Sequence, residues 1–232
     1  MKSESPAKIF NSGRRGIEET AAYKCFHTFH LNETKRGEEE SFGPLKFFND
    51  AFLSPQQSIT YTHEENTRII ILPLTGGLSY QYAIQKEELV SSEQIKVIEV
   101  EKGGSYTFSN PYEKEWINYL HIGFRIHSSL KCSSVLQNIE WKNKNELVCF
   151  GLEIPDQPAS YIGVYEGRSE GCYTLKNPDN GVFIYVINGA FEVQGRLLEY
   201  RDGLSLWNTT AVEFEALSNN AIILLFEINL KQ

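Results

Sequence analysis

Two stretches of the chain repeat the same order of apolar strand, glycine turn and alternating strand. The first is RIIILPLTGGLSYQ, residues 68–81, and the second is VFIYVINGAFEVQ, residues 182–194. A glycine follows each of them, Gly104 in the first half and Gly203 in the second, and leads into a short strand. The copies lie roughly 115 residues apart, a spacing typical of two similar domains in tandem.

The rest of the pattern predicts an all-β chain with little helix. Short runs of apolar, β-branched and aromatic residues alternate with glycine turns, and aromatic residues make up 12% of the sequence. Such a pattern is typical of jelly-roll barrels, and 232 residues are enough for two of them. Gly76-Gly77 and Asn188-Gly189 predict hairpin turns, and Pro73 predicts a bulge or an edge in its strand.

Composition sets the domain boundaries that we predict. Residues 1–22 are polar and are expected to form an N-terminal arm, and residues 23–127 an N-terminal barrel. A stretch rich in Ser, Lys and Asn, residues 128–146, is expected to be a helical or irregular connector. The second barrel is then expected at residues 147–232.

Charge and hydropathy exclude several partners. The net charge is -8 with dispersed Lys and Arg, which argues against binding to nucleic acid or to an anionic membrane surface. No apolar run approaches the ~18 residues of a membrane-spanning helix. The N-terminal residues lack the hydrophobic region of a signal peptide, so we expect a cytoplasmic protein.

The four cysteines form no CxxC pair, and we expect free thiols in or near the core.

Two sequence blocks resemble the pirin family. They are FHTFHLNE, residues 26–33, and FGPLKFFNDAFLSP, residues 42–55, followed by the apolar strand that ends at Gly76. The resemblance covers about residues 13–126 and continues more loosely to the C-terminus. It implies a bicupin, that is, two cupin barrels in tandem. In metal-binding pirins the N-terminal barrel holds one iron with three His and one Glu, and some members are quercetin 2,3-dioxygenases.

This chain departs from the family at the metal ligands that the resemblance implies. The family's His-Pro-His segment falls on Thr62, His63 and Glu64, and the Glu that starts the next strand falls on Arg68. Of these ligand positions Glu64 alone keeps a side chain that could bind a metal. A shift of one residue would put His63 on a ligand position, but it would also turn the whole strand to its other face.

The second ligand pair is missing as well. The family carries G-x-x-H-x-E after a glycine turn, and the sequence that follows Gly103 contains no His-x-Glu. We therefore expect no metal cofactor, with iron as the alternative. His121 shares the mixed face of its strand with Tyr119, and that face is expected to line the barrel interior. The candidate pocket residues are Thr62, His63, Glu64, Arg68, Tyr106, Phe108, Tyr119 and His121.

Three functions are compatible with these residues. The first is a non-catalytic pirin-like bicupin that binds a small organic ligand in the N-terminal barrel or has a regulatory or stress-related role. The second is a dioxygenase of the quercetin 2,3-dioxygenase type, with a site remodelled from His63, Glu64 and His121. The third is a transcription-related cofactor that binds a protein partner. The second barrel contains no histidine, so it cannot hold a metal in the cupin manner.

Overall fold

The computed structural model describes residues 5–29, 41–83, 86–126, 134–151 and 159–231. Its contacts divide the chain into two compact units, Arg15–Ile139 and a second unit that combines Met1–Arg14 with Glu140–Gln232. The regular secondary structure of the described residues consists of strands, apart from a single 3-10 turn at Ser12–Arg14. None of these residues forms a helix with the length and hydropathy of a membrane span.

The first unit is a barrel of two antiparallel sheets. The seven-stranded sheet has the order β12-β9-β6-β11-β4-β3-β2, and the four-stranded sheet has the order β5-β10-β7-β8. Its strands are β2 (Gly16–Glu19), β3 (Tyr23–His27), β4 (Leu45–Leu53), β5 (Ser58–Thr62), β6 (Thr67–Thr75), β7 (Leu78–Tyr82), β8 (Glu88–Val90), β9 (Gln94–Val100), β10 (Ser105–Ser109), β11 (Ile117–Arg125) and β12 (Ser134–Asn138). Aromatic and aliphatic side chains from both sheets form one core between them.

The second unit repeats this arrangement. Its sheets have the orders β1-β19-β16-β21-β14-β13 and β15-β20-β17-β18. The strands are β1 (Ala7–Phe10), β13 (Glu146–Phe150), β14 (Ala159–Tyr165), β15 (Glu170–Thr174), β16 (Gly181–Asn188), β17 (Phe191–Val193), β18 (Arg196–Leu198), β19 (Gly203–Leu206), β20 (Ala211–Ala216) and β21 (Ala221–Ile228). This unit has its own core of buried apolar side chains.

The internal repeat of the sequence corresponds to a repeat of sheet topology. β6 lies between β9 and β11, and its counterpart β16 lies between β19 and β21. β7 lies between β10 and β8, and its counterpart β17 lies between β20 and β18. The predicted all-β fold with two cupin barrels is therefore confirmed.

The two predicted hairpins are wrong. β6 and β7 flank Gly76-Gly77 but belong to different sheets, and β16 and β17 do so at Asn188-Gly189. Both turns are corners at which the chain crosses from one sheet to the other. Gly76 and Gly189 each have φ +75°, which agrees with the prediction of a turn at both sites. The prediction failed in the strand pairing, because the strands on the two sides of each turn do not pair with each other. A glycine turn fixes the backbone locally, whereas strand pairing depends on distant residues.

The bulge predicted at Pro73 is confirmed. The register between β11 and β6 passes from Asn118 opposite Thr75 to Tyr119 opposite Pro73, so β6 holds one extra residue. Proline has no N–H to donate to the ladder, and a bulge accommodates it. The equivalent pair in the second unit, β16 and β21, also shifts register just before Asn188.

The segments expected to be an arm and a connector contain paired strands. Within residues 1–22, Ala7–Phe10 pairs with β19 and Gly16–Glu19 pairs with β3. Within residues 128–146, Ser134–Asn138 pairs with β9 as a strand rather than a helix. The two barrels thus share the N-terminal residues between them, β1 in one and β2 in the other.

Replacing the corner glycine Gly76 by alanine will destabilise the first barrel more than the same change at Gly103. Both glycines have positive φ, which costs an L-residue about 1–2 kcal/mol. A Cβ at Gly76 would also lie 2.8 Å from the Ile117 side chain, whereas a Cβ at Gly103 meets no atom within 4 Å. We expect Gly76→Ala to lower the free energy of unfolding by about 2–4 kcal/mol and Gly103→Ala by about 1 kcal/mol. Urea unfolding of both variants measures this, and equal losses would contradict it.

Candidate functional site

β5 turns Tyr61 and His63 into the first barrel and leaves Thr62 and Glu64 outside. Tyr61 packs against the barrel core, and His63 is half-buried. Thr62 and Glu64 are exposed, and the Thr62 hydroxyl is 2.9 Å from the hydroxyl of Ser105 on the outer face of β10. Alternate side chains of a strand face opposite sides. The inward residues Tyr61 and His63 therefore each lie one position before Thr62 and Glu64, on which the family's two histidines fall.

β10 contributes a second inward pair, Tyr106 and Phe108, which are 1% and 0% exposed. Tyr106 is the register partner of Tyr61. The spacing from Gly103 places Tyr106 and Phe108 where G-x-x-H-x-E would carry its His and Glu. Four inward residues of this strand pair, Tyr61, His63, Tyr106 and Phe108, therefore lie at or beside the family's ligand positions, and Ile59 also faces inward on β5.

The opposite wall of the barrel brings His121 to the same place. β11 buries Tyr119 and His121, which are 0% and 1% exposed. The His121 ring lies 4.4 Å from the Tyr61 ring and 5.3 Å from the Phe108 ring between centroids. The expectation that this face of β11 lines the interior agrees with these contacts.

A hydrogen-bonded chain joins His63, Tyr106 and His121, and we call it the relay. The Tyr106 hydroxyl is 2.9 Å from His63 Nε2 and 2.6 Å from His121 Nε2. His63 enters from the end of β5, Tyr106 from β10 and His121 from the other sheet. The relay therefore connects a half-buried imidazole at the barrel mouth to a fully buried one.

Phe47 closes the relay from the side. Its ring stacks on the His63 ring at 5.8 Å with an interplanar angle of 8°, and it lies 4.8 Å from the His121 ring. Gly123 makes this position possible, because a Cβ there would lie 2.1 Å from the Phe47 ring. The interior at this end is thus filled by aromatic rings from both sheets.

The relay is uncharged at neutral pH. Burial, and then the nearby Lys46 ammonium, lower the pKa of His63 to about 4. Burial, followed by repulsion from His63 and His27, holds the pKa of His121 well below its ordinary value of 6.5. Burial raises the pKa of the Tyr106 hydroxyl well above 10. The site offers neutral hydrogen-bonding groups rather than a charge.

A second chain of hydroxyl groups runs deeper into the barrel. The Tyr61 hydroxyl is 3.1 Å from that of Tyr23 and 3.4 Å from that of Tyr119. Cys25 is completely buried nearby, and burial raises the pKa of its thiol to about 12. This thiol remains protonated at neutral pH and is not a nucleophile.

Of the predicted pocket residues, the structure brings together His63, Tyr106, Phe108, Tyr119 and His121. Thr62 and Glu64 face outward, and Arg68 is buried on the opposite face of β6 from the core residues Ile69 and Ile71. Arg68 forms an ion pair there with its register partner Glu99. Placing Thr62, Glu64 and Arg68 in the pocket was therefore wrong.

The sequence reasoning missed two residues of the site. Tyr61 was not considered because the family alignment assigned the two ligand positions of this segment to Thr62 and Glu64. Tyr106 and Phe108 stand at the His and Glu positions of the G-x-x-H-x-E pattern. This aromatic pair could have indicated that the aromatic residue of β5, Tyr61, faces inward as well. Phe47 had no such signal, since its position depends on Gly123 in a strand about 75 residues away.

The inward side chains do not fit the iron site that the family resemblance implies. That site needs three imidazoles and one carboxylate, and these four positions supply one imidazole, at His63. Burial keeps the phenols of Tyr61 and Tyr106 protonated, and Phe108 has no donor atom. Within the described ranges, no three or more His, Cys, Asp or Glu side chains are placed to hold an ion.

The second barrel carries a different feature, an open groove on the outer face of β15, β17 and β20. Its volume is about 570 Å³. Glu215 lies opposite both Glu170 and Glu192 in the register, and Arg168 is 3.0 Å from Glu215. Exposed Cys172 also lines the groove. Like charges opposite one another destabilise a sheet, and Arg168 offsets part of this repulsion.

Comparison with known proteins gives a consistent result. Residues 151–228 match the family described as the quercetinase C-terminal cupin domain. No protein of curated function matches the chain significantly.

Solved structures match over nearly the whole chain. YhhW from Escherichia coli is 17% identical, with a TM-score of 0.86 over 96% of this chain and 97% of that one. A second structure, described as bacterial pirin YhhW in complex with nickel(II), is 17% identical and has a TM-score of 0.85 over 96% and 99% of the two chains. Quercetin 2,3-dioxygenase from Acinetobacter baumannii is 11% identical, with a TM-score of 0.70 over 96% and 78% of the chains.

The low pKa of His63 predicts a loss of stability in mild acid. The folded pKa of about 4 lies below the ordinary 6.5, so between these values the unfolded chain binds more protons than the folded one. Stability from this group is therefore complete above pH 6.5, falls as the pH drops towards 4, and changes no further below that.

The test compares the wild type with His63→Gln, which removes this titration. Urea unfolding at pH 7 and pH 5 should show a smaller loss of stability in the variant than in the wild type. Carboxylates elsewhere titrate equally in both proteins, so the difference reports His63. An identical pH dependence in the two proteins would contradict the prediction.

Proposed function

We propose that this chain is a pirin-like bicupin, and that it is a non-catalytic protein that binds a small organic molecule and acts through that binding. One observation carries the proposal. The inward positions on β5 and β10 hold Tyr61, His63, Tyr106 and Phe108, which together cannot make the ligand set of an iron oxygenase. The free thiols of Cys25 and Cys172 suit the reducing cytoplasm, which we propose as its location.

The alternative, a dioxygenase with a remodelled site, requires His63, Glu64 and His121 to meet at one metal ion. Glu64 is exposed on the outer side of the barrel wall, while His63 and His121 point inward towards the Tyr106 hydroxyl. These three side chains therefore cannot converge without reversal of the strand end. This geometry favours binding over oxygenation.

The walls of the barrel mouth suggest what the ligand is. Phe47 and His63 are half-buried and stack nearly in parallel. The histidines and the tyrosine of the relay are neutral, so the relay presents no charge to a ligand beside the Phe47–His63 stack. A flat, uncharged aromatic molecule would extend this stack and receive hydrogen bonds from the imidazole. Quercetin, the substrate in the name of the Acinetobacter relative, is a suitable probe of that chemistry.

Metal content and oxygen uptake test the non-catalytic part of the proposal. We expect protein purified without chelator or His-tag to hold less than about 0.1 Fe, Mn, Ni, Cu or Zn per chain, since metal affinity follows the number of deprotonated ligands. We expect no quercetin-dependent oxygen uptake after addition of Fe²⁺. Near-stoichiometric metal together with quercetin-dependent uptake would overturn the proposal and favour the dioxygenase.

Phe47→Ala tests where the ligand binds. In anaerobic titrations followed by protein fluorescence, we expect this change to weaken quercetin binding about tenfold, because a stacked aromatic contact contributes about 1 kcal/mol or more. Phe52→Ala is the matched control. Phe52 lies on the same strand but on its other face, against Phe26, and its loss should change binding less than about twofold. Equal effects of the two variants would contradict binding at this mouth.

A further inference from the structure

The relay has an unusual centre, because two imidazole nitrogens converge on one oxygen atom. His63 Nε2 and His121 Nε2 are 2.9 Å and 2.6 Å from the Tyr106 hydroxyl. The two histidines come from opposite sheets of the barrel, so the oxygen lies between the sheets. Histidines at a metal ion have the same arrangement, in which one nitrogen of each ring points at a shared centre.

The proton count at this centre fixes the two histidine tautomers. Among the described residues the hydroxyl's hydrogen-bond partners are these two nitrogens, so its one proton goes to one imidazole and the other imidazole donates to it. His121 Nδ1 is buried and has no hydrogen-bond partner among the described residues. An unpartnered N–H is rarer in protein interiors than an under-satisfied acceptor. His121 should therefore carry its proton on Nε2 and donate to Tyr106, which in turn donates to His63 Nε2.

These constraints give the hydroxyl a defined role. We propose that the Tyr106 hydroxyl occupies the place of a metal ion, and that His63 and His121 form a latent metal site which this phenol keeps closed. Tyr106 stands at the histidine position of the family's G-x-x-H-x-E segment, whereas His121 lies outside both segments that supply the family's ligands, so the proposed ligand set differs from the family's. The inference rests on the proposed absence of a native metal, but a separate experiment tests it.

The phenol cannot itself complete the site at neutral pH. The hydroxyl proton is engaged in the hydrogen bond to His63, and an oxygen that keeps its proton is a poor metal ligand. Its ring also fills the space beside Phe108, with the ring centroids 5.1 Å apart. Replacing the phenol by an imidazole removes both obstacles and supplies a third nitrogen. Three protein ligands are typical of catalytic zinc sites, in which a water takes the fourth position.

The direct test is Zn²⁺ binding to Tyr106→His, measured by isothermal titration calorimetry at pH 7.5. We expect one Zn²⁺ per chain and a Kd at least about 100-fold lower than any Zn²⁺ binding by the wild type, given the three nitrogen ligands. Tyr106→Phe is the matched control, because it removes the hydroxyl but adds no ligand, and it should remain at the wild-type level. Adding His121→Ala to Tyr106→His should reverse most of the gain.

Two outcomes overturn the inference. One is a folded Tyr106→His variant, judged by near-ultraviolet circular dichroism, whose Zn²⁺ affinity equals that of the wild type. The other is a gain that survives His121→Ala, which would place the ion elsewhere. Metal in the wild-type protein, by contrast, would count against the proposed function and is measured separately.

A measurement on the unmodified protein covers the case in which the variant does not fold. Nitrogen-15 chemical shifts distinguish the two neutral histidine tautomers. We expect His63 to carry its proton on Nδ1 and His121 to carry its proton on Nε2. If both rings carry the proton on Nδ1, the hydroxyl cannot bond to both, and if both carry it on Nε2, the hydroxyl proton has neither imidazole as its acceptor; either result overturns the inference.

Discussion

The pairing of β5 with β10 determines what the first barrel can do. Tyr61 lies opposite Tyr106, and Ile59 lies opposite Phe108. Because side chains alternate along a strand, this register turns every second residue of β5 inward. A register one residue away would bury Thr62 and Glu64 and expose Tyr61 and His63. The aromatic interior, the relay and the proposed loss of metal all depend on this single choice of face.

Burial of rings explains why this register is the stable one. Tyr61 packs against the rings of Tyr106 and Phe108 at 5.6 Å and 5.4 Å. Aromatic pairs across a sheet contribute roughly 0.2–1 kcal/mol each relative to an Ala–Ala pair, and burying Glu64 without a partner would cost several kcal/mol. The outer face of the same two strands is polar, with Thr60 hydrogen-bonded to Thr107 at 2.8 Å. Both faces of the ladder therefore favour the same alignment.

The sequence predicted the fold better than the site for a physical reason. The repeat of apolar strand and glycine corner is a local signal, and it identified two barrels and the bulge at Pro73. Pairing is a non-local property, so the same glycines were misread as hairpins. The site failed in the same way, since the face of β5 is set by β10, which lies more than forty residues further on. His121 was identified because β11 is long and its mixed face could be recognised from one strand.

Each of the four inward residues Tyr61, His63, Tyr106 and Phe108 suits the barrel interior only in the presence of the other three. A glutamate at position 108 would be enclosed by the rings of Tyr80, Tyr106 and Tyr119. Without a cation beside it, that carboxylate would be a buried, unpaired charge. Phenylalanine removes this cost, and the Tyr106 hydroxyl in turn satisfies the inward nitrogens of His63 and His121. An apolar ring at position 108 and a hydroxyl between the two imidazoles together keep the interior both neutral and hydrogen-bonded.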